Sequence, residues 1–172
     1  MNWDLIVVIA EVVGAIAVIV SILYLAVQIG GNTRSVKANA GFEAAHSWAA
    51  SNELLCQLSK EDRTTFARAF ETVESSDKFS EDERMHVSIF MRSIFQKIEG
   101  QYFLFKYGTL DKGLWENRKA WGAGVLQTPF FRKWWQIEKS QLIYSPEFIE
   151  IIESARPISF DGFANQSRQR DA

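Results

Sequence analysis

The sequence predicts an all-α protein: one transmembrane helix at the N-terminal end, then a cytosolic bundle of about five helices. Three features carry this. There is an apolar run over residues 5–29, a series of helix-capping signals each followed by apolar residues at helical spacing, and no sustained period-two alternation of the kind a sheet needs.

The first element reads LIVVIAEVVGAIAVIVSILYLAVQI. At ~1.5 Å per residue, about 25 residues exceed a hydrocarbon thickness of ~30 Å and leave room for tilt. A secretory signal is the rival reading, because Ala15, Ile16 and Ala17 imitate a cleavage site. No Lys or Arg precedes the run, however, and Val18 to Val27 stays apolar where a polar region should begin, so the segment is expected to be retained. Arg34 and Lys37 follow it while only Asp4 precedes it, which places the N-terminus outside and the following domain in the cytosol. Trp3 and Tyr24 fall near its two ends, where amphipathic rings favour the membrane interface.

Within that helix, Ala10, Gly14, Ala17, Ser21, Tyr24 and Gln28 share an arc of roughly 80° at about 100° per residue, with Glu11 to one side. Small residues on one face let helix backbones approach, and polar groups there find partners across the contact. A carboxylate in hydrocarbon costs about 2.5–3.5 kcal/mol, so Glu11 must find a partner, face water or protein, or give up its charge. The stripe therefore points to self-association or to docking on another membrane helix. Were the assembly a ring, Glu11 and Gln28 would line a water path, which gives an ion channel as an alternative.

Gly30 and Gly31 mark a hinge at the membrane surface, after which Asn32 and Thr33 either cap a new helix or continue the span. Residues 35–58 are Ala-rich, with Val36, Ala40, Ala44, Trp48, Leu54, Leu55 and Leu58 at approximately helical spacing. Ser59 opens a helix expected to run through about Val73 and to end at Ser75, Ser76 and Asp77. Ser80 and Glu83 form a capping box that opens the longest soluble helix, which continues to Tyr107 and stops at Gly108. Its stripe of Val87, Phe90, Met91, Ile94, Phe95, Ile98, Tyr102 and Phe105 is that of a central core helix.

Asp111 caps a further helix containing Leu114, Trp115, Trp121 and Val125, weakened by Gly122 and Gly124. Thr128-Pro129 and Ser145-Pro146 each set a cap residue before proline at the first helical position. The expected division is residues 1–31 for the N-terminus and span, 32–156 for the cytosolic helical domain and 157–172 for a flexible tail. In that tail Ile158, Phe160 and Phe163 are the residues able to dock on a surface.

The composition narrows function. Among 172 residues, 19 Lys and Arg against 21 Asp and Glu give a net charge of −2, which provides no field for nucleic acid. At 47% hydrophobic and 13% aromatic the chain can bury a real core. A lone cysteine, Cys56, suits a reducing compartment and is expected to be buried as a small hydrophobe.

The most specific metal-like pattern is a pair of E-x-x-H spacings, Glu43 with His46 and Glu83 with His86. Two such helices plus two further glutamates make a ferritin-like di-iron ligand set, and Glu99, Glu116, Glu138 and Glu150 are the available donors. Against this, Glu83 already serves the capping box. No cofactor is predicted, and a di-metal enzyme stands as the second alternative to a non-enzymatic scaffold or interaction subunit. Glu99, between Phe95 and Tyr102, is a candidate buried acid, read as the acceptor of a structural hydrogen bond from Tyr or Arg. Phe130, Phe131, Trp134 and Trp135 fit a core with one outward ring, or a contact with lipid headgroups beside Arg132 and Lys133.

Several short segments carry a resemblance: Gly14-Ala15-Ile16-Ala17-Val18 with Ser21, Tyr24-Leu25-Ala26, Gln28-Ile29, Asn32-Thr33-Arg34, and later Glu99, Tyr102, Tyr107-Gly108, Leu110-Asp111 and Leu114-Trp115. Along its whole length the chain resembles a widespread group of small bacterial single-span membrane proteins with a cytosolic helical domain. In that group an Arg commonly follows the Gln-Ile of the span, where this chain has Gly30-Gly31. The resemblance implies residence in the bacterial inner membrane and an anchored helical domain. It brings no activity, substrate or catalytic residue.

Overall fold

The structure, a computed structural model, describes residues 2–70 and 79–159. Among the described residues six α-helices follow one another: α1 (Trp3–Gln57), α2 (Lys60–Ala69), α3 (Glu81–Lys106), α4 (Lys112–Val125), α5 (Pro129–Ser140) and α6 (Pro146–Ser154). No strand occurs among the described residues. The chain divides into two compact units, Met1–Asn39 and Ala40–Ala172.

The first unit is the N-terminal stretch of α1. Every residue over 6–39 is exposed. Its most apolar 18-residue window has a mean hydropathy of 2.9, so by length and composition the helix can cross a membrane. Gly30 and Gly31 lie inside α1, where a hinge was expected. Two glycines cost about 1 kcal/mol each relative to alanine. Here the hydroxyls just beyond them turn back onto the helix, Thr33 Oγ1 donating to the Ile29 carbonyl at 2.9 Å and Ser35 Oγ to that of Gly31 at 3.2 Å. Thr33 thus continues the helix instead of capping a new one.

The second unit is a bundle built around α3. The capping box is formed as the spacing predicts: Ser80 Oγ accepts from Glu83 N at 3.2 Å, and Glu83 Oε2 accepts from Ser80 N at 2.8 Å. From that start Val87, Met91, Ile94, Phe95, Ile98 and Tyr102 enter the core. Phe95 is enclosed by Trp134, Trp135 and Tyr144, with ring centroids 5.2–6.4 Å away. Burying each such side chain contributes about 1.5–3 kcal/mol, so this aromatic cluster is a principal source of the bundle's stability.

Around α3 the other helices start where their caps place them. Ser59 accepts from Asp62 N at 3.0 Å to open α2, Asp111 accepts from Leu114 N at 3.1 Å to open α4, and Ser145 accepts from Phe148 N at 3.4 Å to open α6. Thr128 stands at the N-cap of α5 with Pro129 at the helical start, as the spacing predicts, but its hydroxyl donates back to the Val125 carbonyl at 3.0 Å and makes no capping bond. The expected end of α2 at Val73 and residues 75–77 lies outside the described residues. α2 is last seen at Ala69, with Phe70 as its C-cap.

Three further expectations shift. Cys56 is exposed, since it falls on the outer face of α1 while Trp48 and Leu55 pack inward. Val36 and Leu54 are exposed as well, so the inward stripe of this helix begins at Ala44. Phe131, Trp134 and Trp135 are all buried, leaving Phe130 half-buried against Phe79; Arg132 and Lys133 lie on the opposite face of α5. Beyond α6, Ile158 N donates to the Ala120 carbonyl at 3.1 Å, while Phe160 and Phe163 lie outside the described residues.

Candidate functional site

The small and polar residues of the span lie on the stretch of α1 over residues 6–39, where all are exposed. Its polar groups satisfy one another locally. Ser21 Oγ donates to the Ala17 carbonyl at 2.8 Å, and Gln28 Nε2 donates to Tyr24 Oη at 2.8 Å. A Cβ added at Gly14 meets nothing within 4 Å. Ala10, Glu11, Gly14, Ala17 and Ser21 therefore present a narrow face, and Glu11 has no hydrogen bond or ion pair with any described residue.

The E-x-x-H residues are committed elsewhere. Glu83 sits in the capping box and also accepts from Thr65 Oγ1 at 3.1 Å and from Arg68 Nη1 at 3.0 Å. Its carboxyl is held below the ordinary carboxylate range, first by the Ser80 backbone bond and then by Thr65 and Arg68. His86 lies 3.9 Å from Asp82 on the exposed first turns of α3, and His46 stacks on Phe42. Glu43 is exposed. Among the other donors, Glu116 pairs with Lys119 at 2.7 Å, Glu138 pairs with Arg92, and Glu150 is exposed. Among the described residues no group of three or more His, Cys, Asp or Glu side chains is placed to hold a metal ion.

Glu99 is half-buried and accepts from the backbone N of Ser145 at 2.6 Å. It fixes the start of α6 through the main chain; neither a Tyr nor an Arg is its hydrogen-bond donor. The buried acid of the bundle is Glu138, 3% exposed, which takes a two-point contact from Arg92 Nε and Nη2, both at 2.7 Å. That bond raises the Arg92 pKa. Nearby, Tyr102 and Lys106 both donate to Glu147 Oε2, which holds the Glu147 carboxyl low and the Lys106 ammonium high.

Sequence reasoning missed a polar junction where α1, α3 and α4 meet. Lys97 Nζ donates to Ser51 Oγ at 2.6 Å and lies 3.5 Å from the Ser47 carbonyl. Gln101 Nε2 donates to the Ala44 carbonyl at 3.4 Å, and its Oε1 is buried without a partner. The Arg118 guanidinium carbon stands 4.0 Å over the Trp48 ring, with Nε buried and unpartnered. The available signal was Lys97 and Gln101 at i, i+4 on one face of α3. Beside the junction a partly enclosed cavity of about 120 Å³ is walled by Trp48, Ser51, Phe66, Phe70, Phe90 and Trp121, among others. No protein-family model, curated protein or solved structure matches the chain.

Proposed function

We propose that the chain is a membrane-anchored helical protein that self-associates through its N-terminal helix and holds its bundle in the cytosol as a scaffold or interaction subunit. One observation carries the reading. A helix long and apolar enough to span a bilayer carries an exposed face of Ala10, Gly14, Ala17 and Ser21. Association of helices within lipid relies on close backbone approach and on polar groups meeting across the contact, and this face offers both. Glu11, at its edge and without a partner among the described residues, gains one when two copies meet. Arg34 and Lys37 on one flank and Asp4 on the other favour a cytosolic bundle and an external N-terminus. By the resemblance stated above, the membrane is the bacterial inner membrane, and the partners are the lipid bilayer and a second copy of the span.

The test is cross-linking of the full chain in membranes. Oligomers are expected, and Gly14→Leu is expected to weaken them, because a side chain there meets nothing within the single chain but would hold two helices apart. A chain that stays monomeric in membranes at all densities refutes the proposal.

A further inference from the structure

The cavity beside the polar junction is apolar over nearly all its wall, and five of its lining side chains are aromatic: Trp48, Phe66, Phe70, Phe90 and Trp121. Its volume of about 120 Å³ is of the order of one six-membered ring, since an apolar cavity of roughly 150 Å³ holds benzene. Besides the indole N–H groups of Trp48 and Trp121, Ser51 and Asn52 bring hydrogen-bonding side chains into the wall.

Two cations bear on that wall. Lys97 holds Ser51, and Arg118 lies over Trp48. Neither has a carboxylate within ion-pair distance among the described residues. The ion-paired glutamates of the bundle face other cations: Glu83 faces Arg68, Glu116 faces Lys119, Glu138 faces Arg92, Glu147 faces Lys106 and Glu153 faces Lys139. Burial with no anion to offset it draws the Arg118 guanidinium below its usual range. A partly buried cation without a counter-charge leaves an uncompensated positive potential, and low-dielectric walls strengthen it. Lys97 directs two of its three protons at Ser51 and Ser47 and keeps one, and Asn52 is exposed at the cavity.

From the ring-sized aromatic cavity and the two cations without a carboxylate partner that stand behind its wall residues Ser51 and Trp48, we infer a binding site for a single-ring aromatic monocarboxylate. The ring enters between Trp48, Phe66, Phe90 and Trp121, and the carboxylate remains on the Ser51–Asn52 side, where Lys97 reaches it and Arg118 adds to the field. This site is independent of the span's association.

The experiment titrates the full chain in zwitterionic lipid nanodiscs with benzoate, benzyl alcohol and benzylamine, following tryptophan fluorescence because Trp48 and Trp121 wall the cavity. Benzoate is expected to give a saturable change, with benzyl alcohol about tenfold weaker and benzylamine silent. Ala67→Leu, which adds bulk at an exposed lining position, should abolish the benzoate response, and Lys97→Met should weaken it about tenfold while helicity is retained. Absence of a saturable benzoate response, equal binding of benzyl alcohol, or a response that survives Ala67→Leu would each overturn the site. The comparison of the three probes on the unaltered chain holds even where a variant fails to fold.

Discussion

At the scale of single residues, the buried polar atoms decide where the bundle gains and loses stability. Tyr144 is buried against Phe95, Trp135 and Phe148, and its hydroxyl has no hydrogen-bond partner. Burial, and then the charge of Glu138, pushes its phenol well above the ordinary range, so the group stays neutral and still unpaired. An unmade hydrogen bond in a core costs about 1–3 kcal/mol. Tyr144→Phe removes the hydroxyl and keeps the ring, so a gain of about 1 kcal/mol in chemical denaturation is expected; a clear loss would mean the hydroxyl is satisfied. Glu83 behaves oppositely. With its folded pKa below the ordinary 4.5, its contribution is complete above that value and is lost as pH falls through the lowered pKa. Glu83→Gln keeps an acceptor at the third position of the capping box but removes the charge facing Arg68. The variant should be less stable at neutral pH and should show a shallower loss below 4.5, as read by unfolding midpoints across pH.

At the scale of helices, the two C-terminal turns with positive φ are a matched pair. α3 ends in a Schellman arrangement in which Gly108 N donates to Phe105 O at 2.9 Å and Thr109 N to Leu104 O at 2.8 Å, with Gly108 at φ +74. α5 ends with Leu142 at φ 55 and 89% exposed, a left-handed residue with a side chain and nothing to pack it. A Cβ in that region costs about 1–2 kcal/mol. Gly108→Ala should therefore lose about 1 kcal/mol, and Leu142→Gly should gain a similar amount or slightly less, since glycine also loosens the unfolded chain. Differential unfolding of the two variants measures both, and equal signs would contradict the pairing. The first of these turns was legible, because glycine after a long apolar stripe announces a helix end. The second was not, because leucine carries no such signal. Thr128 holds the N-cap position that Pro129 marked, but the turn of its hydroxyl was not legible: it can cap forward or bond back, and here it bonds back to Val125.

At the scale of the whole molecule, the order of helices was readable because each one after α1 opens on a residue pattern with a local cause, such as Ser80 with Glu83 or Asp111 before Leu114. The polar junction was not, since Lys97, Gln101 and Arg118 acquire meaning only when α1, α3 and α4 pack together, and no spacing along the chain brings Ser51 to Lys97. Glu99, read as a buried acid, is half-buried and has a donor that was not legible, because the backbone N of Ser145 lies 46 residues away and leaves no mark in composition. The chain's division at Asn39 and Ala40 leads to a separation of effects. Gly14 lies in the first unit, where an added Cβ touches nothing, while the aromatic core that governs unfolding lies wholly in the second. Substitutions at distant sites without shared partners act independently to within about 0.5 kcal/mol. Gly14→Leu is thus expected to lower the cross-linked fraction in membranes while leaving the unfolding midpoint of the bundle, followed by tryptophan fluorescence, unchanged. A midpoint that drops together with cross-linking would show that bundle stability depends on assembly of the spans, and the two units would then have to be treated as one cooperative system.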